Sequence, residues 1–514
     1  MNYQRRDFLK LAGMGSAALG ASYIGMAAKS INSKNAVLTG RDKYGGCTDI
    51  HFEPTGFFRL EKADRWWLVT PEGNAFLSFG ANHVDIRNIM ASYNKEFWAK
   101  KFGIGENADS KAFLPGFEKK VKDDLKAFGM NTLGTHSGTG MYSESIANDV
   151  VNCRMVDICH YMTPTEDDFP DVFSDDFVKH CDQRARAIAA PRKDDPFVIG
   201  YSMTDCPILT DPESWPHDYN VYGWRTDQKP TWSQVLRNKG ENSPGKRVYV
   251  SAMRQIYHNS IREFNDTYNT DFKSFDDLLQ ATQWRRRPQY SNSREGRDNY
   301  EFLLKVVDRC YEVEVAAIRK HDPNHIILGD KFQGNRMGLE VPDEIIALCG
   351  KHFDLIFFQK YTVWHDLEPL LNKFARFGGG KPIYMGDSSI NVPNENMPDP
   401  FGPQCVNQKI RAEVFKKVFY SSYARNDFVG WDWCGWMDLW AKDPDQARAE
   451  RFEKAALAAA EATGQQIRIG LRDPRHGGVQ DPYGNYDQPI QKAMKEFSEK
   501  MYDIAIGKIS YTQD

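Results

Sequence analysis

From Ala75 to Trp433, short apolar, β-rich segments alternate with helical patterns, and that alternation leaves few architectures open. The strand-like segments are Ala75–Gly80, Gly129–His136, Asn152–Ile158, Phe197–Tyr201, His325–Asp330, Phe353–Gln359, Lys381–Asp387 and Phe428–Trp433. Helical spacing falls between them: Phe117–Phe128, with Val121, Leu125 and Phe128 on one face, then Asp175–Ala190, Tyr300–Lys320 and Ile410–Tyr423. About eight such β/α units are what closes a (β/α)8 TIM barrel, so the expected class is α/β with that barrel. A doubly wound open sheet is the alternative. It announces itself with a Gly-rich nucleotide turn after the first strand, and none is present.

Around this core the chain divides as follows. Residues 1–28 read as an export signal, 29–55 as a loop-like N-terminal segment, and 56–514 as a single barrel domain. Phe57–Gly73 reads as a β-hairpin with one turn at Ala63–Asp64 and another at Pro71–Gly73. A polar, partly helical insertion at 211–300 leaves the end of the fourth strand, so it is expected over the active face as a lid or cleft wall. Its Trp215, Trp224 and Trp232 are candidate sugar platforms, with packing the commoner use of such rings. Asp445–Thr463 reads as an Ala-rich helix, and Arg475–Gly484 as a Gly-rich loop able to reach the cleft with His476. Ile490, Met494, Phe497, Met501 and Ile504 space out a closing helix.

Composition narrows the partners. The 514 residues carry a net charge of −4, without the basic excess of a nucleic-acid binder. Arg5 and Arg6 precede a mild apolar stretch, Leu11–Ala28, which reads as a signal for the twin-arginine export machinery, cleaved near Ala28. That stretch is short and diluted by Gly and Ser, and no later one is long and apolar enough to span a bilayer, so no stable membrane insertion is expected. The expected location is periplasmic or secreted. Nine cysteines, without CxxC pairs or a Cys/His cluster, point to mostly free buried thiols in a chain exported folded. His83 with Asp85 supplies two potential ligands and no third, so no metal is expected. With no phosphate loop or iron–sulfur motif, no cofactor is expected either.

The chemistry is expected where the strands end, because a barrel does its work at the C-terminal lip. Pro207 stops the fourth strand and leaves Asp205 there. The seventh strand ends on Asp387, across the mouth, and two facing carboxyl groups are the minimum equipment for glycoside hydrolysis. Asn82 and His83 follow the first strand, and His136 the second. Thr204 precedes Asp205, Asp330 and Lys331 end the fifth strand, and Gln359 and Tyr361 come from the sixth. Trp433 and Trp436 of the eighth are expected as a floor under a sugar ring. Asp432 and Asp438 are rivals for the second carboxylate. Cys206 lacks a nearby His–Asn partnership and is a weak nucleophile candidate. Lys331 and Arg475 are cationic contacts for a sulfate or carboxylate on the substrate.

The Phe57–Asn82 stretch around Trp66–Gly73 resembles the opening of agarase-like and exo-β-galactosidase-like glycoside hydrolases. So do the insertion with Pro244–Lys246 and Phe275–Leu279, and the Gln480–Gly484 loop. The resemblance covers nearly all of the chain beyond the signal. It implies the retaining (β/α)8 clan whose members carry Asn-Glu after strand four and Glu after strand seven. By position it implies Asp205 as general acid/base and Asp387 as nucleophile, acting on β-linked galactans such as agar, porphyran or carrageenan, in an exo-acting pocket. Both expected Glu are Asp here, and the helper Asn is Thr204. Each lost methylene draws a carboxylate back, which leaves three readings open: retaining, inverting, or a glycan-binding protein on a degenerate barrel.

Overall fold

The computed structural model describes residues 38–105, 107–137, 144–156, 169–205, 220–221, 224–225, 232–282, 294–333, 341–397, 400, 402–440, 477–485 and 488–511. The segment read as an export signal, Cys206, Trp215, the 445–463 helix, Arg475 and His476 lie outside these residues.

Eight parallel strands close into a barrel: Ser78–Ala81, Thr132–Leu133, Asn152–Met155, Val198–Asp205, Ile326–Gln333, Ile356–Gln359, Ile383–Ser388 and Phe428–Trp433. The eighth pairs back onto the first, with Trp433 opposite Ala81, and the fourth pairs with the fifth, with Asp205 opposite Lys331. Helices cover the outside. Ser110–Phe128 starts on an Asp109 cap and stops at Gly129, whose φ of 75° suits glycine. Ser174 caps Asp175–Ile188, and Asn407 caps Gln408–Tyr423. The closing helix, Pro489–Ala505, buries Ile490, Met494, Phe497, Met501 and Ile504, the residues whose spacing announced it. Among the described residues no helix is long and apolar enough to cross a membrane. Seven described cysteines are free thiols, and all but Cys405 are buried.

The floor of the barrel differs from the sequence reading. Residues 40–55 are not simply loop: Cys47–His51 is a strand that pairs antiparallel with Asn74–Phe76. Its partner lies more than twenty residues away, so no local pattern marks it. The run read as one strand, Ala75–Gly80, is divided between Asn74–Phe76 of this sheet and Ser78–Ala81 of the barrel. The expected hairpin, Arg59–Lys62 against Trp66–Val69, completes a four-stranded sheet. Its Phe58, Leu68 and Phe76 join Val151, Ile199, Ile326, Leu355 and Val429 in one core. Those five residues stand at or near the N-terminal starts of barrel strands, so the sheet plugs the lower end. Burying each large apolar side chain contributes roughly 1.5–3 kcal/mol.

Arg65, in the hairpin turn, locks the plug. It donates to the carbonyls of Tyr423 at 2.8 Å and Ala505 at 3.0 Å, and to that of Phe428. Tyr423 and Ala505 end two helices, so one cation satisfies carbonyls that a helix C-terminus leaves unpaired.

The insertion contributes the helices Trp232–Arg237, Pro244–Ile256, Ile261–Tyr268 and Phe275–Gln280. The first three pack on the long helix Arg294–His321, and Phe275–Gln280 packs on Pro244–Ile256. Ser243 and the Gly245 amide hydrogen-bond Asp171, which lies between the third strand and the following helix. The insertion therefore stands at the C-terminal rim. Trp232 is not a sugar platform: it is buried, stacked on Phe169, and donates to the Pro170 carbonyl at 2.9 Å.

Replacing Arg65 by Met should strand three buried carbonyls at about 1–3 kcal/mol each. We expect the urea midpoint to fall by the equivalent of roughly 3–5 kcal/mol with unchanged secondary structure. An unchanged midpoint would show that the plug does not depend on this residue.

Candidate active site

Side chains inside the barrel form layers, apolar below and polar above. Over the apolar floor lies a hydrogen-bonded tier. The Tyr384 hydroxyl meets Ser78 Oγ at 2.6 Å and donates to Asp432 Oδ1 at 2.9 Å, while Ser78 donates to Thr132 Oγ1 at 2.8 Å. Burial pushes the Asp432 carboxyl well above the usual range, and the charge of Asp387 adds to this against the Tyr384 bond. Asp432 is thus a neutral acid beneath the mouth, and the rivalry for the second carboxylate goes to Asp387. Asp438 is occupied elsewhere, accepting the Gly478 amide at 2.6 Å. Gly80 and Gly134 keep this tier compact. A Cβ on Gly80 would stand 2.5 Å from Asp432 Oδ1, and one on Gly134 2.1 Å from Asn82 Oδ1.

The mouth above is organised around Lys331. Its ammonium lies 2.8 Å from Asp205 Oδ1 and 3.4 Å from Asp387 Oδ2, and it donates to His136 Nε2 at 2.5 Å. The Lys331 side chain is 0% exposed, against 18% for Asp205 and 6% for Asp387. His136 Nε2 also sits 3.5 Å from Asp205 Oδ2 and 4.0 Å from Asp387 Oδ2. His83 stacks on His136, centroids 4.8 Å apart, and brings Nε2 to 3.9 Å from Asp387. His83 holds this position at φ 55°, a left-handed conformation that a non-glycine residue adopts at a cost of order 1 kcal/mol.

The charge states follow. Burial raises both carboxyl groups, but the Lys331 ammonium more than offsets it. With the His83 contact added at Asp387, it holds both below the ordinary carboxylate range. Burial, with the Lys331 charge, lowers His136 and leaves a neutral imidazole at pH 7 despite the opposing pull of Asp205. The Cys434 thiol, raised by burial and by Asp387, stays protonated beside Tyr361. His83, Asp387 and Cys434 each place a ligand atom within 4.8 Å of the others. An ammonium already stands against Asp387 there, and a cation would meet its repulsion and a thiol reluctant to ionise. This is a poor metal centre.

Of the other expected contacts, some converge on the mouth and some do not. Asn82 is fully buried and serves the protein: its Nδ2 donates to Asp387 Oδ1 at 2.8 Å and to the Gly386 carbonyl at 2.7 Å, while its Oδ1 accepts the His136 amide at 3.2 Å. Gln359 lies opposite Asp387 in the strand register, with Tyr361 two residues on. Thr204 is buried beside Asp205, its amide directed to Asp330. Asp330 leaves the site. It faces the Tyr311 hydroxyl of the helix layer, and burial raises its carboxyl to about 7. Trp433 and Trp436 do not form a sugar floor. Trp433 packs outward on Phe415 and Phe419, because alternation along the eighth strand turns Asp432 inward. Trp436 is buried against Phe117 and donates to Asp124 at 2.8 Å. Asp85 caps the short helix Ile86–Ile89 instead of joining His83. Cys434 was overlooked, although its place two residues past Asp432 is the signal that alternation offers.

These features define a (β/α)8 barrel with two carboxylates facing each other at its C-terminal mouth. Among solved structures the chain is similar to an exo-β-agarase, with a TM-score of 0.67 at 16% identity over 92% of this chain and 68% of that one. It is equally similar to the agarase AgWH50C, with a TM-score of 0.67 at 17% identity over 91% and 68%. Among curated proteins it is 22% identical to β-agarase B of Vibrio sp. (strain JT0107), over 81% of this chain and 48% of that protein. β-Agarase A of the same strain is 21% identical over 78% and 44%. The chain thus spans about half the length of the curated relatives it matches. No family model matches it.

The depressed carboxyls make an acid-stability prediction. The folded state binds fewer protons here than the unfolded chain, whose Asp pKa is about 3.9. The stabilisation is therefore fully present above about pH 4 and lost as pH falls through the lower folded values. In Lys331→Met the two buried carboxyls should instead titrate above the unfolded value. That variant should be less stable at pH 7 and gain stability as pH falls towards 5. Urea unfolding between pH 3 and 7 reads the difference, and parallel profiles for both proteins would contradict the electrostatic account.

Proposed function

We propose that this chain is a retaining glycoside hydrolase that cleaves β-linked galactose-type chains of the agar, porphyran or carrageenan kind. Asp387 is the nucleophile and Asp205 the general acid/base. The carrying observation is that one ammonium touches both carboxylates, at 2.8 and 3.4 Å. Their nearest oxygens are therefore at most about 6.2 Å apart, short of the roughly 6.5–9.5 Å of an inverting pair, which supports retention. The agarase relatives support the galactan class, and the insertion at the rim supports an exo-acting pocket. The division into a signal at 1–28 and a barrel domain at 56–514 with the insertion 211–300, and export to the periplasm or beyond, belong to the same proposal.

Mechanistically, Asp387 is equipped to attack the anomeric carbon. It is ionised, and Asn82 fixes its Oδ1, leaving Oδ2 towards the mouth. A second reading has its own observation. Lys331 neutralises both carboxylates, as expected of a barrel that binds sugars without cutting them.

Hydrolysis of neutral and sulfated galactan oligosaccharides separates the two. We expect wild type to release sugar with retained anomeric configuration, read by NMR of the first product. Asp205→Asn should lose roughly 100- to 10,000-fold in turnover while still binding, the range typical of a missing acid/base. Asp387→Ala should lose turnover and recover it with added azide. Binding without cleavage by wild type on every substrate would establish the second reading.

A further inference from the structure

A retaining hydrolase needs one protonated carboxyl at rest, and the geometry of this mouth provides none. Asp205 and Asp387 both face the same ammonium, and His136, the other near neighbour, is neutral. Among the described residues, Lys331 brings a proton to Asp205 at 2.8 Å from Oδ1. We propose that Lys331 is the proton reservoir of the centre, a positioning residue that passes its proton to Asp205 when a sugar closes the mouth. The proposal rests on the hydrolase reading above. One transfer does two things: it makes Asp205 the acid, and it removes the positive charge that masks Asp387.

The driving force is desolvation. Lys331 has no solvent-exposed surface, while Asp205 keeps some. A neutral sugar in the mouth removes that remaining water. Loss of water penalises an ammonium–carboxylate pair more than the amine–carboxylic acid pair that replaces it. The groups facing Lys331 come from several strands. Asp205 is on the fourth and Asp387 on the seventh, while His136 and His83 follow the second and first. Asp432, on the eighth strand, acts on the site from below and Cys434, just past that strand, from beside Asp387, both as protonated groups. Asp330, its neighbour in sequence, is turned into the helix layer. His136 does not compete as a donor, because its Nε2 accepts from the ammonium.

The proton account closes over one turnover. Lys331 Nζ gives a proton to Asp205 Oδ1 and keeps the electron pair as an amine. An Asp387 oxygen bonds to the anomeric carbon as the bond to the leaving oxygen breaks, and that oxygen takes the proton from Asp205. Water then bonds to the anomeric carbon, giving a proton to Asp205 while the ester to Asp387 breaks. Asp205 finally returns the proton to Lys331. One glycosidic bond and one water become two hydroxyl groups.

The test compares wild type, Lys331→Arg and Asp205→Asn on two substrates, a galactan oligosaccharide and 2,4-dinitrophenyl β-galactoside. The second has a leaving group that departs without a proton. Arg keeps the charge but cannot give up its proton. We expect Lys331→Arg to match Asp205→Asn in kcat/KM, which reports the first bond-breaking step: roughly 100- to 10,000-fold lower on the oligosaccharide, the range of general acid catalysis, and within about tenfold of wild type on the dinitrophenyl glycoside. Lys331→Arg at wild-type rate on the oligosaccharide would overturn the proposal. So would equal losses on both substrates, which mean a purely structural lysine. Should the variants fail to fold, lysine 13Cε NMR of wild type with a sulfur-linked galactan disaccharide replaces them. One lysine changing to the amine form on binding supports the transfer, and none doing so refutes it. Wild type inactive on both substrates would sink the hydrolase reading and this assignment together, whereas an indifferent Lys331→Arg in an active enzyme sinks only the second.

Discussion

A single buried ammonium balances the mouth of this barrel. Without Lys331, Asp205 and Asp387 would be two carboxylates facing each other with little water between them. At an effective dielectric near 20, an ion pair at about 3 Å is worth roughly 5–6 kcal/mol before desolvation, which costs several kcal/mol per buried ion. The sum is close to balance. The cluster therefore stands because each member has further partners: Asn82 on Asp387, and His136 on the ammonium. A cluster so near balance is one whose protons can be moved by a change in local water. Stability and chemistry here draw on the same few atoms.

Environment, more than residue type, distinguishes the aspartates along the barrel axis. Asp432 lies under the mouth with a tyrosine hydroxyl and no cation in contact, and burial keeps it neutral. Asp387, one strand over and higher, is held ionised by Lys331 against the same burial. The apolar plug below matters to both. By filling the lower end with Phe58, Leu68 and Phe76, the N-terminal sheet closes the barrel to water from beneath. The open side is then the mouth.

Much of this is legible in the chain itself. Pro207 and the apolar runs place Asp205 and Asp387 at the ends of strands four and seven, where the structure has them. Lys331, His136, His83 and Asn82 were found because they too sit at strand ends. Errors arose where the facing of a residue, rather than its position, decided its role. Trp433 and Asp330 are at the right height and on the wrong face. A strand buried on both sides has no polar alternation to reveal which side chains point in. Asn82, expected as a sugar contact, gives its hydrogen bonds to Asp387 and Gly386, partners about three hundred residues away. The Cys47–His51 strand was missed for a related reason, since its pairing is long-range.

The sequence by itself determined the architecture, because apolar periodicity is local and the number of β/α units leaves little choice of closure. It also determined which residues stand at the lip, since strand termini are marked by proline, glycine and loss of apolar content. Tertiary structure alone decided the charge state of the site. Whether a carboxyl is ionised depends on the distance to the nearest cation and on the water displaced around it. Both are set by strands remote in the chain: Lys331 meets Asp205 through strand pairing, and Asp387 only because the barrel closes.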